Sequence, residues 1–242
     1  MLSVRNRVLM TFIWLRQYPT VIHLGQMFGV DKATVNLEIH HVIPILRFHL
    51  QNQIQWITED EANELRGSWA HFPNAIFALD ATCHQVWRPL NHQGWYYRGD
   101  KKKHVMTTQM VVAPSGEIVN MEAGYHGTND TGIYNITDLG QNLLELPEEA
   151  RGLADGGYPQ RLPLIIPYQR QAVVNHPERR IMNMWHRFYR SQVERTFRKI
   201  KVFRCCSATW RHPKYFQGGV VYTVGCVVNI KMQLEREIRG QN

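Results

Sequence analysis

Apolar residues at the start of the chain recur every three or four positions, which is typical of amphipathic helices. A first, loosely amphipathic run begins at Val4, and Pro19 ends it. Thr20 can then cap a short second helix over residues 21–28, and Gly29 allows a tight turn after it. The pattern therefore predicts two helices followed by a glycine turn.

A third helix is predicted after this turn, with Asp31 as its N-cap and Ile43 near its end, because Pro44 should interrupt it. This order of helices and turn is that of a helix-turn-helix. Four polar residues of the third helix would be exposed and able to reach the edges of DNA bases: Lys32, Thr34, Asn36 and His40. The alternative is a plain three-helix bundle that makes no contact with DNA.

Residues 53–72 predict an acidic linker helix, in which Thr58 and Glu61 form a capping box. The pattern then changes to short apolar runs bounded by turn residues, which predict strands at residues 76–79, 85–88, 105–112, 117–125, 153–154 and 164–166. A Pro-Ser-Gly turn at residues 114–116 predicts a hairpin. Helices are predicted at residues 131–146, 177–202 and 213–239. This order predicts an α/β fold with a mixed sheet.

The composition indicates a folded, soluble protein. Of 242 residues, 44% are hydrophobic and 20% are charged, which supports a sizeable core and argues against disorder. The four cysteines have neither zinc nor disulfide spacing, so we expect a reducing compartment. The longest apolar stretch, residues 218–230, is too short and too polar to span a bilayer, so we expect no membrane partner.

Positive charge is concentrated in one segment of the chain. The net charge is +8, and residues 178–204 contain nine Lys or Arg against two Glu, a balance of +7. An anionic partner, above all nucleic acid, would match this segment. A solvated basic helix is the alternative.

Three acidic residues fall at special places in the predicted architecture: Asp80 and Asp155 each end a strand, and Glu194 lies inside the long helix. Carboxylates are the hard ligands that Mg²⁺ and Mn²⁺ prefer, and two such ions can assist the displacement at a phosphodiester. The alternatives are turn-forming roles for the two aspartates and an ion pair between Glu194 and Arg198. Glu194 borders an apolar stripe that would pack on the sheet, formed by Tyr189, Val193, Phe197 and Ile200. Basic residues lie on or near its own face, namely Arg187, Arg190, Arg198 and Lys201.

Three stretches around these acids resemble motifs of the PIF/Harbinger group of DDE transposases and the host nucleases derived from them. They are Leu-Asp-Ala-Thr-Cys-His at residues 79–84, Leu-Ala-Asp-Gly-Gly-Tyr-Pro at residues 153–159, and Val-Glu-Arg-Thr-Phe-Arg-Lys-Ile-Lys at residues 193–201. The 38 residues between Asp155 and Glu194 resemble the family's spacing, and residues 97–104 and 124–130 resemble further blocks. Ala81 stands where the family usually has Gly. Relatives are often longer at the N-terminus, so a truncated start is one interpretation.

The resemblance implies an RNase H-like catalytic fold, flanked by helices, that cleaves DNA by a two-metal mechanism. It assigns Asp80, Asp155 and Glu194 as catalytic residues and ligands of two Mg²⁺ or Mn²⁺ ions, with Asp130 as a fourth ligand. The corresponding domains are a helix-turn-helix in residues 1–52, the linker helix in residues 53–72, and the catalytic domain in residues 73–242. A metal-activated water would cut the phosphodiester and leave a 3′-hydroxyl.

The resemblance also implies partners and a location. The expected partners are double-stranded DNA, a Myb-like DNA-binding companion and further copies of the chain, and the expected location is the nucleus, reached from the cytoplasm. The nucleic-acid-binding candidates are Lys32, Thr34, Asn36, Lys101, Lys102, Lys103, Arg190, Arg198 and Lys201. Two alternatives remain open: a domesticated DNA-binding protein that has lost cleavage, and an RNase H-like enzyme that acts on RNA.

Overall fold

A computed structural model describes residues 2–137 and 139–240. The helices are α1 (Val4–Gln17), α2 (Val21–Phe28), α3 (Lys32–Leu50), α4 (Glu59–Leu65), α5 (Gln93–Tyr96), α6 (Asp130–Ile136), α7 (Leu139–Leu144), α8 (Arg170–Val173), α9 (Pro177–Lys201), α10 (Arg204–Ser207) and α11 (Lys214–Gly240). The strands are β1 (Ala75–Gln85), β2 (Tyr97–Arg98), β3 (Lys103–Val112), β4 (Ile118–Tyr125), β5 (Arg151–Ala154) and β6 (Leu164–Ile165).

The strands form one mixed sheet in the order β4-β3-β1-β5-β6, and the short β2 pairs with the start of β3. β1, β3 and β4 are antiparallel neighbours, whereas β1, β5 and β6 run parallel. The predicted hairpin between β3 and β4 is confirmed, with Gly116 at φ +88° in its turn. The predicted α/β fold, a mixed sheet flanked by helices, is therefore confirmed.

Helices cover both faces of the sheet, because successive strand residues point to opposite sides. On the face covered by α9 and α11, the buried strand residues include Ala78, Met110 and Leu153. On the opposite face, which packs against α4 and α7, they include Leu79, Val111 and Ala154. Among the helices of the described ranges, none is both long enough and apolar enough to cross a membrane.

The N-terminal helices form the predicted helix-turn-helix arrangement. Thr20 caps α2 by accepting from the His23 amide at 3.2 Å, and Asp31 caps α3 by accepting from the Thr34 amide at 2.8 Å. Gly29 ends α2 in the left-handed region, at φ +65°. The three helices share a core with the rest of the chain, since the fully buried Trp14 lies with its ring centroid 6.0 Å from that of Trp210.

Two predictions about α3 are wrong. The helix does not end at Ile43 but continues through Pro44 to Leu50. Ile39 and Ile43 are buried in the core before the expected break, the partly buried Leu50 packs against the same core after it, and this packing offsets the lost hydrogen bond. His40 is not exposed on a DNA-facing side. It is partly buried and stacks on Phe216, with ring centroids 4.0 Å apart.

The predicted boundary at Asp80 is also wrong. β1 continues past Asp80 to Gln85, and the separate strand predicted at residues 85–88 does not form among the residues described there. The reason is the long partner strand β3, which pairs with β1 from Ala78 opposite Val112 to Gln85 opposite Val105. Asp80 thus lies within a strand.

The helix predicted over residues 131–146 is two helices, α6 and α7, and residue 138 between them lies outside the described residues. Asn129 caps α6 by accepting from the Gly132 amide at 2.8 Å. The linker helix is shorter than residues 53–72, because only α4 is helical apart from a 3-10 turn that ends at Gln53. The capping box between Thr58 and Glu61 is confirmed.

We predict that Gly152→Ala destabilises the sheet between β1 and β5. A Cβ atom on Gly152 would lie 1.9 Å from Cε2 of the buried Phe77, so the ring or the strand would have to move. We expect the free energy of unfolding, measured by urea denaturation, to fall by about 1–3 kcal/mol. Gly140→Ala is the matched control, since its Cβ would meet nothing within 4 Å. Equal stability of the two variants would contradict this account.

Candidate active site

Asp80 and Asp155 lie side by side because of the way β1 and β5 pair. The parallel register ends with Leu79 opposite Ala154, so the two aspartates are the next residues on neighbouring strands. Adjacent strands are about 4.8 Å apart. Asp80 stays within β1, whereas Asp155 begins a turn in which its carbonyl oxygen accepts from the Tyr158 amide at 3.0 Å.

Helix α9 brings Glu194 to the same side of the sheet. Strand alternation places Asp80 on the face of Ala78, and α9 packs against β1, β3 and β5 on that face. The predicted apolar stripe makes this contact: Val193, Phe197 and Ile200 are buried and Tyr189 is partly buried. Glu194 and the two strand aspartates therefore line the same cavity.

Asp130 reaches the site from the first turn of α6. Gly157, in the turn after Asp155, leaves room for it, since a Cβ on this glycine would lie 2.9 Å from Oδ2 of Asp130. The Thr131 hydroxyl donates to the carbonyl oxygen of Gly157 and joins the helix start to the same turn. The second glycine of the Gly-Gly pair therefore makes space for a fourth acid.

All four acids line one cavity of about 630 Å³ together with Cys83 and His84. Five basic residues line the same cavity: Arg98, Lys101, Lys103, Arg190 and Lys201. Carboxylates that can bind cations thus lie beside cations that can bind phosphates. This combination suits the hydrolysis of a phosphodiester.

Arg190 joins two of the acids directly. Its Nη1 lies 2.6 Å from Oδ2 of Asp80, and its Nη2 lies 2.6 Å from Oε1 of Glu194. The side chains of Arg190 and Asp80 are only 14% and 16% exposed, while that of Glu194 is 43% exposed. The alternative given for Glu194, an ion pair with Arg198, is not made between these two described residues, because Glu194 pairs with Arg190, one turn earlier.

Burial dominates the electrostatics of the site. It raises the pKa of Asp80, and the neighbouring Arg190 offsets part of this effect. Burial also raises the pKa of Asp130, Arg98 lowers it in part, and the charge of Asp155 adds to the rise. The cavity therefore stabilises its carboxylates best when positive charge lies next to them.

The donor set fits a divalent metal by its chemistry, since Mg²⁺ and Mn²⁺ prefer carboxylate oxygens. Within residues 2–137 and 139–240, no group of three His, Cys, Asp or Glu side chains is close enough to hold an ion as it stands. The guanidinium of Arg190 lies where a cation shared by Asp80 and Glu194 would lie. A metal bound by both acids would therefore compete with Arg190.

The basic candidates from the sequence fall into two groups. Lys101, Lys103 and Lys201 line the acidic cavity, and Lys201 donates from Nζ to the Thr82 hydroxyl at 2.6 Å. Lys102 and Arg198 are exposed outside this lining. The three lysines that line the cavity could bind a phosphate next to the acids, and the two exposed residues could bind phosphates farther away.

On α3, Lys32 and Asn36 are exposed, as predicted. Thr34 is partly buried, and its hydroxyl donates to Oδ2 of Asp31 at 3.1 Å, which occupies it in the helix cap. Arg190, another of the nucleic-acid-binding candidates, forms ion pairs with Asp80 and Glu194.

Arg98 and Tyr158 lie near the four acids and were not among the sequence candidates. Arg98 makes a bidentate pair with Asp100, at 2.9 and 2.8 Å, and donates to the Thr128 carbonyl oxygen at 3.0 Å, which joins β2 to the segment before α6. Tyr158 is buried beside the acids, and its hydroxyl has no hydrogen-bond partner in the described part of the chain. Its pKa is raised well above the usual value, first by burial and then by the charge of Asp130. Arg98 and Tyr158 lie in the sequence blocks at residues 97–104 and 153–159, but the sequence does not show which way their side chains point.

Comparison with protein families gives two matches. Residues 79–229, more than half of the chain, match the family described as DDE superfamily endonuclease. Residues 1–52 match the family described as helix-turn-helix of DDE superfamily endonuclease. Comparison with curated proteins and with solved structures gives no match.

We predict that Arg190→Gln destabilises the metal-free protein and strengthens metal binding. Removing one partner of a buried ion pair costs about 3–5 kcal/mol, and we expect the low end, about 3 kcal/mol, because Glu194 is partly exposed. The free energy of unfolding in EDTA, measured by urea denaturation, checks this loss. Calorimetric titration with Mn²⁺ should give a lower Kd than for the wild type, since no guanidinium competes.

The matched control for this prediction is Arg195→Gln, which removes an exposed arginine from the same helix. It should change the free energy of unfolding by less than about 0.5 kcal/mol and leave the Mn²⁺ affinity unchanged. An Arg190→Gln variant that bound Mn²⁺ more weakly than the wild type would show that the arginine does not compete with the ion.

Proposed function

The chain belongs to the DDE superfamily endonucleases, and from this we propose that it is a divalent-metal-dependent DNA endonuclease or transposase. One observation carries the proposal: four carboxylates from four separate parts of the chain line one cavity, on the sheet face covered by a basic helix. We propose Asp80, Asp155 and Glu194 as the catalytic set, with Asp130 as a fourth metal ligand.

Each part of the site has a role in this proposal. Two Mg²⁺ or Mn²⁺ ions held by the carboxylates would lower the pKa of water and offset the charge that develops on the phosphodiester. Lys101 and Lys103 would bind the phosphates that flank the cut, because both residues line the same cavity. Lys201, through its hydrogen bond to Thr82, would keep positive charge next to β1.

DNA would be bound first by the N-terminal helices. The start of α3 presents Lys32 and Asn36 to solvent, and a helix N-terminus with such residues suits the major groove. We place the chain in the PIF/Harbinger subgroup, on the three motifs around Asp80, Asp155 and Glu194. The Myb-like companion, the assembly of several copies and the nuclear location stay predictions.

A second candidate function is that of a DNA-binding protein without cleavage. The double ion pair of Arg190 with Asp80 and Glu194 favours it, because a tightly held guanidinium would keep metal ions out. The two functions share the fold and the DNA contacts. They differ in whether the carboxylates still bind metal.

We predict that Asp80→Asn and Glu194→Gln abolish metal-dependent nicking of supercoiled DNA. Mutating a residue that only hydrogen-bonds to a metal ligand lowers metal affinity or activity by about 10–100-fold. Loss of a ligand itself should therefore lower the nicking rate by more than about 100-fold in Mg²⁺ or Mn²⁺. Asp60→Asn and Glu64→Gln, at exposed acids of α4, are the matched controls and should keep the wild-type rate. Tight DNA binding without any cut that depends on the carboxylates would select the second candidate function.

We predict that Lys32→Gln weakens binding to DNA of any sequence. Loss of one phosphate contact should reduce the slope of log affinity against log salt by roughly one unit, measured by fluorescence anisotropy on a random-sequence duplex. Lys231→Gln, at an exposed lysine of α11, should leave the slope unchanged. If the two variants behave alike, α3 does not approach DNA through its first turn.

A further inference from the structure

A second cavity, of about 640 Å³, lies next to the acidic one. The side chains that matter here are Asp155, Tyr168, Arg170, Arg180, Arg187 and Arg190. Asp155 and Arg190 line both cavities, so the second cavity adjoins the one that contains the four acids. A ligand bound in it would therefore lie beside the proposed cut.

The charge of this cavity is positive and largely uncompensated. Four arginines face one aspartate, and in the described ranges the guanidinium groups of Arg170, Arg180 and Arg187 have neither an ion pair nor a hydrogen bond. Arg180, Arg187 and Arg190 follow one another on α9 at spacings of seven and three residues, which keeps them on one side of the helix. The positive charge of this face favours anions, and Glu194 lies farther along the same helix.

Part of the cavity wall is apolar and is held in place. It includes the ring of Tyr168, which is 47% exposed, and the neighbouring Val173. The side-chain amide of Asn183 accepts from the Tyr168 amide at 2.8 Å and donates to its carbonyl oxygen at 2.9 Å. Arg179 lies over the ring, 5.2 Å from its centroid. The tyrosine is thus positioned by α9 before any ligand arrives.

We propose that this cavity binds one unpaired nucleotide of the DNA strand that flanks the cut. Arg180 and Arg187 bind its phosphate, and the base packs against Tyr168 and the apolar wall. The backbone of a continuous duplex would use the arginines but not the wall, because its bases are stacked inside the helix. The inference rests on the proposed function, since it takes DNA as the substrate.

Binding measured in EDTA tests this inference apart from cleavage. The probes are a blunt DNA duplex and the same duplex with a short single-stranded overhang, and the readout is the ratio of their two Kd values by fluorescence anisotropy. The wild type should prefer the overhang probe. Base stacking on an aromatic ring is worth about 5- to 150-fold in affinity, so Tyr168→Ala should remove a preference of that size.

Two further variants distinguish the contribution of the Tyr168 ring from that of the arginine charges. Tyr168→Phe keeps the ring and should keep the preference, and the double variant Arg180→Gln, Arg187→Gln should lose it. The matched controls are Tyr215→Ala and Arg195→Gln, which change an exposed tyrosine and an exposed arginine elsewhere and should leave the preference intact.

Three outcomes would overturn the inference: equal affinity of the wild type for both probes, a preference that survives in Tyr168→Ala and in the double arginine variant, or its loss in the Tyr215→Ala and Arg195→Gln controls too. Circular dichroism of each variant identifies loss of folding, and Tyr168→Phe then decides the role of the ring. Failure of the wild type to bind either probe would instead refute DNA binding itself. Loss of nicking with an intact overhang preference would leave this inference standing.

Discussion

Four carboxylates share one cavity, and the repulsion between them is the constraint on which the rest of the site depends. Partly buried negative charges must be neutralised by protons or matched by cations. In this chain Arg190 matches Asp80 and Glu194 directly, and further basic residues line the same space. The acids are thus already partly neutralised by basic residues before any metal ion or DNA phosphate binds.

Helix α9 carries both core residues and the charged residues of the two cavities. One of its sides packs on the sheet through Val193 and Phe197, and another presents Arg180, Arg187 and Glu194. Because the helix is rigid, the anion-binding arginines and the acid keep a constant separation. The proposed cut and the proposed nucleotide site would therefore be aligned by one element.

The strand assignments show where local patterns mislead. The apolar run before Asp80 predicts a strand that ends there, and on the side of β5 the pairing does end at Leu79. On the side of β3 it continues to Gln85, since β3 is long enough to pair with the whole of β1. A hydrophobic pattern reports the burial of a segment, whereas the length of a strand depends on its partner.

Features set by interactions within a few residues could be determined from the sequence alone. They include the caps at Thr20 and Asp31, the capping box at Thr58, the hairpin turn, and the motifs that carry the acids. Only the tertiary structure decided that Glu194 pairs with Arg190, that Gly157 makes room for Asp130, and that a second cavity adjoins the first. Caps and periodicity depend on neighbours along the helix or strand, while register, burial and cavity shape depend on residues far apart in the chain.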